Sequence, residues 1–590
     1  MANDKPGRFD HLLPILKRYY GYFWFGTLAT AFSNALILIV PYLTKLAFEA
    51  IQQGQPSAAV FRLSLAMVIL AVVAGVFRFF MRRSIIWASR KIEYDLRGTL
   101  FSKLLTLDPG FYHTSKTGDL MAHATNDIEA VRMMVGPGVM QVVNAVVSTV
   151  VSLAFMIALS PKLTIVTVLP LTLLSLVVNR LGTLAHKKYQ IIQAHFAYLT
   201  TRVQENLAGV RVIKAYRREG SEIDRFAEAS RTYIDMNLSM IRLVGLFGPM
   251  LAIIVGGVTL LVLFVGGREI MAQRLSLGTL VAFFGYMGWL TWPIMALGWV
   301  ISLYQRGTAS LDRINRILNT QPLILDPGKS KSSPTKVKGK IEFRNLTFAY
   351  PRPDGTTGAP VLSDINLLIE PGTRLGIIGP TGSGKTTLVS LISRLYPTQA
   401  GQLLVDDIDI RLWPLAPLRR GIGFVPQETF LFSDTLEANI DFSAEENRSG
   451  RVVEAAMLAA LHEEVEGFPQ RYETILGERG ITLSGGQKQR TALARAIMKQ
   501  PAVVILDDAT SSVDTETEEK IFANLETILP GRTSIIISHR VSSLKNCHRI
   551  VYLADGRIAE AGTHDELLAK NGPYAALYRR QLMEAELEKM

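Results

Sequence analysis

The chain has almost no cysteine, since its 590 residues contain only Cys547. A single thiol cannot form an internal disulfide, which excludes a disulfide-stapled secreted protein and is typical of a reducing compartment. The residues around Cys547 show no metal-ligand or nucleophile pattern, so we interpret this side chain as a packing residue.

Charge is also scarce, because 19% of the residues are charged and 48% are hydrophobic. The hydrophobic excess lies before residue 310, so the average combines a membrane half with a soluble half. The net charge of +12 could indicate a nucleic-acid partner. Its Lys and Arg residues instead flank apolar runs, as in cytoplasmic loops that face anionic lipid. We therefore expect contact with membrane lipid and no nucleic-acid partner.

The first ten residues are polar and lack the pattern of a cleavable signal or a transit peptide. We therefore expect the first apolar helix to direct membrane insertion. Each of six apolar runs holds the roughly 20 residues that a spanning helix needs. The six runs are 19–44, 58–81, 136–159, 162–182, 243–267 and 276–304.

Two long basic segments, 82–135 and 183–242, follow the second and fourth runs. Positive charge favours the cytoplasmic side, which places both segments and both termini there. Periodic apolar positions predict that the spans continue as helices into the cytosol. Turn-like breaks at 111–118 and 207–210 predict short helices that dock onto a soluble domain.

A second domain follows a linker rich in Pro, Gly, Lys and Ser at 321–339. We predict a transmembrane domain at 1–320 and a nucleotide-binding domain at 340–590. The second domain alternates short β runs with helices, which indicates an α/β fold with a mainly parallel sheet. Its predicted strands are Ile341–Tyr350, Arg374–Ile378, Ile422–Val425, Val503–Leu506 and Thr533–Ser538.

The stretch from Gly379 to Thr386 follows a strand and opens a helix, the context that a phosphate-binding loop requires. Its glycines let backbone N–H groups approach the phosphates of ATP, and the helix start adds its positive end. Lys385 is expected to reach the β- and γ-phosphates, and Thr386 is expected to bind Mg²⁺. The predicted nucleotide contacts here are Gly379, Pro380, Thr381, Gly382, Ser383, Gly384, Lys385, Thr386 and Thr387.

Polar residues at other strand ends complete this predicted site. Asp507 ends a buried strand and is a candidate Mg²⁺ ligand, and Asp508 follows where a general base would lie. Gln427 is a candidate for contact with Mg²⁺ and the attacking water, and His539 for contact with the γ-phosphate. Tyr350 ends the first strand and is a candidate for stacking on adenine.

A second Gly-rich turn, Leu483 to Gln487, opens another helix and can bind phosphate from the opposite side. We expect nucleotide contacts from Ser484, Gly485, Gly486 and Gln487. Two such loops predict that ATP is clamped between two nucleotide-binding domains.

These motifs resemble those of a half-transporter of the ATP-binding cassette superfamily, of the exporter type that pumps drugs or lipids. The soluble half carries Tyr350, 379–386, Gln427, 483–487, Asp507, Ser511–Asp514 and His539 in family order. In the membrane half, 117–120 with 126–127, and 209–215, resemble the two coupling-loop regions. Residues 477–480 resemble the exporter loop that contacts them.

The resemblance implies a six-helix all-α transmembrane domain followed by an α/β P-loop domain. It implies a dimer in which each ATP site takes the phosphate loop of one chain and the Gly-rich turn of the other. ATP binding would close the cassettes and turn the pore outward, and hydrolysis would reset it. The expected location is a bacterial inner membrane, crossed several times.

The chain departs from the family pattern at Asp508, where the general base is normally Glu. Aspartate is one methylene shorter, and a general base must come within about 2.6–3.2 Å of its proton. A weakly hydrolytic site with an intact Gly-rich turn resembles the degenerate half of a heterodimeric exporter. A homodimer that tolerates the exchange is the alternative, as is an ATP-gated channel or regulatory protein on the same scaffold.

The substrate is expected to be a hydrophobic small molecule or a lipid, since the apolar runs hold few ionisable groups. Trp289, Trp292 and Trp299 fall within about 80° of one another on a helix, with Met295 beside them. This arc is a candidate lining for a central cavity, and lipid-facing or packing positions are the alternative.

Overall fold

A computed structural model describes residues 7–328, 334–351, 358–443, 449–477, 480–528 and 531–587. The chain forms two compact units. One comprises the residues up to Leu105 and Gly118–Asn319, and the other comprises Thr106–Thr117 and the residues from Thr320 onward. Glu478 and Arg479 of the predicted exporter loop, and 329–333 of the predicted linker, lie outside the described residues.

The described part of the first unit is helical. Up to residue 319, the α-helices among the described residues are α1 Leu13–Arg18, α2 Tyr20–Ile37, α3 Val40–Gln52, α4 Ser57–Thr106, α5 Pro109–Thr114, α6 Thr117–Ala122, α7 Ile128–Met133, α8 Val139–Leu159, α9 Pro161–Ala208, α10 Val210–Ala215, α11 Glu219–Gly245, α12 Phe247–Met271 and α13 Leu277–Asn319. Two π-helical turns, His123–Asp127 and Met134–Gly138, flank α7. Helix α5 belongs to the second unit.

Five helical stretches among the described residues are long and apolar enough to cross a membrane. They are Tyr20–Gln52, Ser57–Thr106, Thr117–Leu159, Glu219–Met271 and Leu277–Asn319. The predicted fourth run lies in α9, whose described apolar part is Pro161–Thr172. The side chains of 173–179 lie outside the described residues, so the count of six spans stays a prediction.

The helices extend beyond the apolar runs, as the periodicity predicts. Helix α4 has 50 residues and α9 has 48. Proline sets one break, since Pro41 lies in the first turn of α3 and separates it from α2. Pro170 lies within α9, which continues on both sides of it.

A polar network lies among buried apolar side chains, Ile128 and Ile314 for example, in the extended part of the first unit. Asp127 is 7% exposed and accepts hydrogen bonds from the Ser310 hydroxyl at 2.9 Å and from Arg313 Nε at 2.9 Å. The His123 ring lies 2.6 Å from the same carboxylate. These partners satisfy a carboxylate that burial would otherwise destabilise.

The three tryptophans of the predicted arc differ in their surroundings. Trp289 is half-buried and packs on the core formed by Phe283, Tyr286 and their neighbours. Trp292 is 61% exposed and Trp299 is 45% exposed in the single chain. The Met295 side chain lies outside the described residues.

The second unit is an α/β domain. Its strands are β1 Ile341–Phe348, β2 Leu362–Ile369, β3 Arg374–Ile378, β4 Leu403–Val405, β5 Ile408–Asp409, β6 Ile422–Val425, β7 Val503–Asp507, β8 Thr533–Ile537, β9 Arg549–Ala554 and β10 Arg557–Gly562. Its further helices are α14 Lys385–Ile392, α15 Leu415–Arg420, α16 Leu436–Ile440, α17 Ser449–Leu458, α18 His462–Glu466, α19 Gly485–Met498, α20 Thr515–Ile528, α21 His564–Ala569 and α22 Pro573–Leu587.

A mainly parallel sheet forms the centre of this unit, in the order β10-β9-β3-β8-β7-β6. Strands β9, β3, β8, β7 and β6 run parallel, and β10 pairs antiparallel with β9. The prediction of a parallel core is therefore confirmed. Strand β1 differs, because it lies in a separate antiparallel sheet of order β2-β1-β4-β5.

The short helix α5 packs within the second unit. Its His113 ring nitrogen Nε2 lies 2.9 Å from the Tyr396 hydroxyl, and the two rings stack. Asp108, just before the helix, accepts a hydrogen bond from the Leu323 backbone N–H at 3.1 Å. A docking helix at the first turn-like break is thus present. Cys547 is 6% exposed, and burial raises the pKa of its thiol to about 12, as expected of a packing residue.

Candidate functional site

A cavity of about 250 Å³ opens at the carboxyl ends of the central parallel strands. Ligands of open α/β sheets bind at this edge, where loops from several strands converge. The cavity is lined by Val361, Thr381, Gly382, Gly384, Lys385, Thr386, Thr387, Gln427, Asp507, Asp508, Ile537 and His539. Residues up to 178 positions apart in sequence therefore share one surface.

The loop between β3 and α14 requires glycine at three positions. A Cβ on Gly379 would lie 2.0 Å from the Leu553 carbonyl oxygen. Gly384 has φ +96° and Gly382 has φ +81°, both in the left-handed region that favours glycine. The resulting turn brings the first backbone N–H groups of α14 to the cavity, which is a ready-made anion site.

Lys385 begins α14 and is 7% exposed. Its ammonium Nζ donates to the carbonyl oxygens of Gly379 at 2.9 Å and Pro380 at 2.8 Å. Burial lowers the pKa of this ammonium, although Asp507 and Asp508 act in the opposite direction. The side chain lies folded along the loop that it would leave to meet a phosphate.

Asp507 ends β7 and is 1% exposed. Its pKa is raised by burial and further by Asp508, against hydrogen bonding from Thr386 and the charge of Lys385. Its Oδ2 atom and the Ser383 hydroxyl are buried with no hydrogen-bond partner among the described residues. Buried polar atoms are normally paired, so these two atoms fit a cation and a phosphate respectively.

No group of three or more His, Cys, Asp or Glu residues within the described ranges could hold a metal ion. One carboxylate, one hydroxyl and one amide, from Asp507, Thr386 and Gln427, surround this position instead. Mg²⁺ is commonly held by one or two carboxylates together with phosphate oxygens and water. The residues present therefore fit magnesium that arrives with a nucleotide.

Asp508 lines the cavity with an unusual backbone conformation. Its φ is +51°, and its N–H donates to the Ile537 carbonyl at 3.0 Å. Asp and Asn tolerate this left-handed region better than other residues that have a Cβ. The local backbone therefore favours Asp over the longer Glu at this position.

Gln427 and His539 are exposed side chains on opposite sides of β7 in the sheet order, and both line the cavity. Tyr350 is not among the residues that line it. Its hydroxyl lies 2.8 Å from the Thr387 hydroxyl, and its ring packs edge-on against Tyr396. Tyr350 is thus tied to the first turn of α14 beside the cavity.

The second Gly-rich turn is also absent from the cavity lining of this chain. Ser484 caps α19, since its hydroxyl accepts from Gln487 N at 3.3 Å and its N–H donates to Gln487 Oε1 at 2.9 Å. A Cβ on Gly486 would lie 3.0 Å from the Ser512 carbonyl oxygen. The turn is thus well formed, with Gly486 packed closely against the segment that follows β7.

Sequence reasoning missed the cavity-lining residue Ile537 at the end of β8, and it missed two further residues of this region. Val361 lines the cavity just before β2. Gln489 donates to the Ser511 hydroxyl at 2.9 Å and accepts from Ser512 N at 3.0 Å, which ties α19 to the segment before α20. Neither residue belongs to a recognisable pattern, because an apolar residue and an interior helical glutamine carry no local signal.

Comparison with known proteins follows the same division of the chain. The ABC transporter transmembrane region family matches residues 23–294, and the ABC transporter family matches residues 362–511. The chain is 35% identical over 553 residues to YheI of Bacillus subtilis (strain 168), a probable multidrug resistance ABC transporter ATP-binding/permease protein, with 93% of each covered.

Two further likenesses extend over nearly the whole chain. It is 32% identical over 584 residues to the ATP-dependent lipid A-core flippase of Syntrophus aciditrophicus (strain SB), covering 99% of this chain and 96% of the flippase. A solved bacterial Atm1-family ABC exporter with ATP bound superposes with a TM-score of 0.76 at 27% identity, covering 96% of this chain and 98% of that one.

Proposed function

We propose that this chain, which belongs to the ABC transporters, moves hydrophobic or amphipathic molecules out of the cytoplasm or the inner leaflet. It is an exporter whose ATPase activity is coupled to transport. The observation that carries the proposal is the joining, in one chain, of long apolar helices to a nucleotide cavity. Relatives named for multidrug resistance and for lipid A-core flipping support drugs or lipids as the substrate class.

We propose that ATP binds along the loop from Gly379 to Thr387, with its phosphates on the N–H groups of α14. Lys385 would exchange its two loop carbonyls for phosphate oxygens, since an ammonium is attracted more strongly to an anionic oxygen than to a neutral carbonyl. Thr386, Gln427 and Asp507 would hold Mg²⁺, which neutralises charge on the β- and γ-phosphates. Tyr350 would stack on adenine, and His539 would contact the γ-phosphate.

We further propose that two chains complete each ATP site. The turn from Ser484 to Gln487 has its Gln487 N–H capped by the Ser484 hydroxyl, and it is not among the residues that line the cavity of its own chain. A second cassette would bring its own cavity to this turn. The same arrangement accounts for an exposed helix start whose N–H groups are free to bind phosphate.

Asp508 supports an unequal pair of sites. Its carboxylate would lie over an ångström farther from the attacking water than that of a glutamate, by the length of one methylene group. Its left-handed backbone favours Asp, so the shorter side chain suits the local fold. We propose that this chain is the weakly hydrolytic half of a heterodimer whose partner provides the faster site.

The membrane unit is proposed to have six spans, with α9 providing the fourth. Both termini and the long helical extensions would then face the cytoplasm of a bacterial cell, in its inner membrane. This orientation follows the basic residues of 82–135 and 183–242.

Reconstitution into lipid vesicles tests the function directly. The full-length chain, alone and with a candidate partner half-transporter, should move a fluorescent amphipathic dye or a labelled lipid only with hydrolysable ATP. Lys385→Ala should weaken ATP binding to this chain, and Gly485→Glu should stop transport. Nucleotide-independent movement of the probe would contradict an ATP-driven exporter, and full transport by the chain alone would favour a homodimer.

A further inference from the structure

The segment that follows β8 is held by side chains from helices elsewhere in the second unit. It carries His539, which is exposed and lines the nucleotide cavity. Within the segment, Arg540 N donates to the Ser538 hydroxyl at 3.0 Å. The position of His539 therefore depends on what anchors a short stretch of irregular backbone.

One anchor is Gln581 on the last helix, α22. Its Nε2 donates to the His539 carbonyl oxygen at 2.6 Å, and its Oε1 accepts from Val541 N at 2.9 Å. One amide thus bonds both backbone groups that flank Arg540. The orientation of the amide is fixed by its partners, since a carbonyl needs a donor and an N–H needs an acceptor.

Helix α22 is itself firmly docked. Tyr574 is fully buried in the core of the second unit, and its hydroxyl lies 2.8 Å from the His564 ring. Gln581 lies seven residues later, two helical turns along the same face. The buried end of α22 therefore fixes where the amide of Gln581 can reach.

A second anchor holds the same segment from the other side. Glu518 of α20 is 5% exposed and accepts from Ser543 Oγ at 2.8 Å and from Arg540 Nη1 at 3.2 Å. It also accepts from Thr510 Oγ1 at 2.7 Å, two residues after Asp508. The Glu518 carboxylate thus ties the ends of β7 and β8 together, and Gln581 ties the end of β8 to α22.

We propose that Gln581 is a positioning residue for His539, which makes the last helix part of the ATP site. The inference rests on the proposed function, in which His539 contacts the γ-phosphate. ADP lacks this phosphate, so the Gln581 amide should strengthen the binding of ATP and leave the binding of ADP unchanged. Loss of the amide would free the His539 carbonyl and let the ring leave its place at the cavity.

Photolabelling of the assembled transporter tests this inference in the subunit that carries the change. ATP and ADP compete against 8-azido-ATP in the presence of Mg²⁺ and at low temperature, and the labelled subunits are separated on a gel. For Gln581→Ala we expect ATP to compete about fivefold less well, the effect of roughly one neutral hydrogen bond. ADP should compete as it does in the unaltered chain.

Two variants sharpen the outcome. Gln581→Glu keeps an acceptor for Val541 N but turns an oxygen toward the His539 carbonyl, so it should weaken ATP competition at least as much as Gln581→Ala. Arg580→Ala is the matched control on α22, because Arg580 pairs with Glu584 one turn on at 3.2 Å. In this control variant, ATP and ADP should both compete as they do in the unaltered chain.

An unchanged ratio of ATP to ADP competition in both Gln581 variants would overturn the inference. Equal weakening of both nucleotides, with a lower Tm, would overturn it too, because that is the result of a purely structural role. An unaltered chain that binds neither nucleotide would overturn the proposed function and this inference with it. Weaker ATP competition in both Gln581 variants, with ADP competition unchanged in both, supports the inference.

Discussion

Asp508 is the residue whose chemistry and backbone conformation most directly bear on the mechanism. A φ of +51° suits Asp and Asn, so Asp508→Asn removes the charge while it keeps the local fold. In a heterodimer whose partner hydrolyses ATP, we expect this variant to keep the ATPase rate of the complex within about twofold. A general base contributes roughly 10²–10⁴ in rate, so loss of that size would show that this site is catalytic.

Asp508→Glu completes the comparison. The longer side chain gains reach toward the attacking water but is less suited to the left-handed backbone, at a cost of up to about 1 kcal/mol. We expect a changed turnover together with a Tm slightly below that of Asp508→Asn. Equal Tm values for Asp508→Glu and Asp508→Asn would contradict a backbone preference for Asp at this position.

Asp507 should make the stability of the unliganded second unit depend on pH. Burial raises the pKa of its carboxyl in the folded state above the unfolded value, so folding favours the protonated form. The folded state therefore loses stability as pH rises from the unfolded pKa through the folded one, and regains it on acidification. Asp507→Asn removes this penalty.

We expect Asp507→Asn to raise Tm at neutral pH without nucleotide, by the effect of about 1–3 kcal/mol that an unpaired buried polar group costs. The advantage should shrink at mildly acidic pH, and Mg²⁺-ATP should stabilise the variant less than the unaltered chain. Thermal unfolding at both pH values, with Thr386→Ser as a control that keeps the hydroxyl, measures this. A Tm advantage of Asp507→Asn that grows on acidification would show that folding lowers the pKa of Asp507 and does not raise it.

Single residues were predictable where a local motif carries them. The loop from Gly379 to Thr386 is recognisable because the glycines, lysine and hydroxyl of a phosphate-binding motif lie close together in sequence. Gln581 contacts His539 from 42 residues away and Glu518 contacts Arg540 from 22 residues away, so nothing near them in sequence reveals either contact.

Among the secondary-structure elements, α19 offers the clearest test of how the ATP sites are shared. Gly485 is its first residue, and a Cβ there would already lie 3.2 Å from Ser512 Cβ. A glutamate side chain would add bulk and negative charge at a helix start proposed to meet a phosphate. We expect Gly485→Glu to reduce the ATPase rate of the complex more than tenfold, on the scale of a lost electrostatic contact to the transition state.

Nucleotide photolabelling distinguishes this effect from misfolding. The chain that carries Gly485→Glu should still bind ATP in its own phosphate-binding loop, so its own labelling should persist. Gly450→Glu is a matched control in α17, because Gly450 has open space around its Cβ position. Full ATPase activity of Gly485→Glu would contradict the shared site.

Elements were predictable where burial and periodicity agree. The parallel strands β3, β6, β7 and β8 are short apolar runs, and their predicted bounds match within one residue. The β9–β10 hairpin was missed although Asp555-Gly556 joins the strands with φ values of +48° and +73°, a recognisable two-residue turn. Strand β1 was found but not its antiparallel pairing, because pairing depends on partners distant in sequence.

At the scale of the whole molecule, the sequence predicts which part lies in the membrane more readily than which faces meet. Runs of about 20 apolar residues identify spans because lipid requires them. The same uniform hydrophobicity hides which side of a span faces lipid, a neighbouring helix or a cavity. Trp289 illustrates this, since it packs on the core of its own unit although it shares an arc with two exposed tryptophans.

The proposed transport cavity is the subject of the last prediction. Trp292 and Trp299 stay 61% and 45% exposed in the single chain, so each is available to lipid or to a cavity shared with a partner. Aromatic side chains adapt to varied apolar ligands, and we expect them to face the cavity. Alanine at both positions should then reduce substrate-stimulated ATPase activity severalfold more than basal activity.

Trp289→Ala is the control, and it should lower Tm and reduce both activities together because its side chain packs on the core. Parallel loss of both activities in the Trp292 and Trp299 variants would place them against lipid or a neighbouring helix.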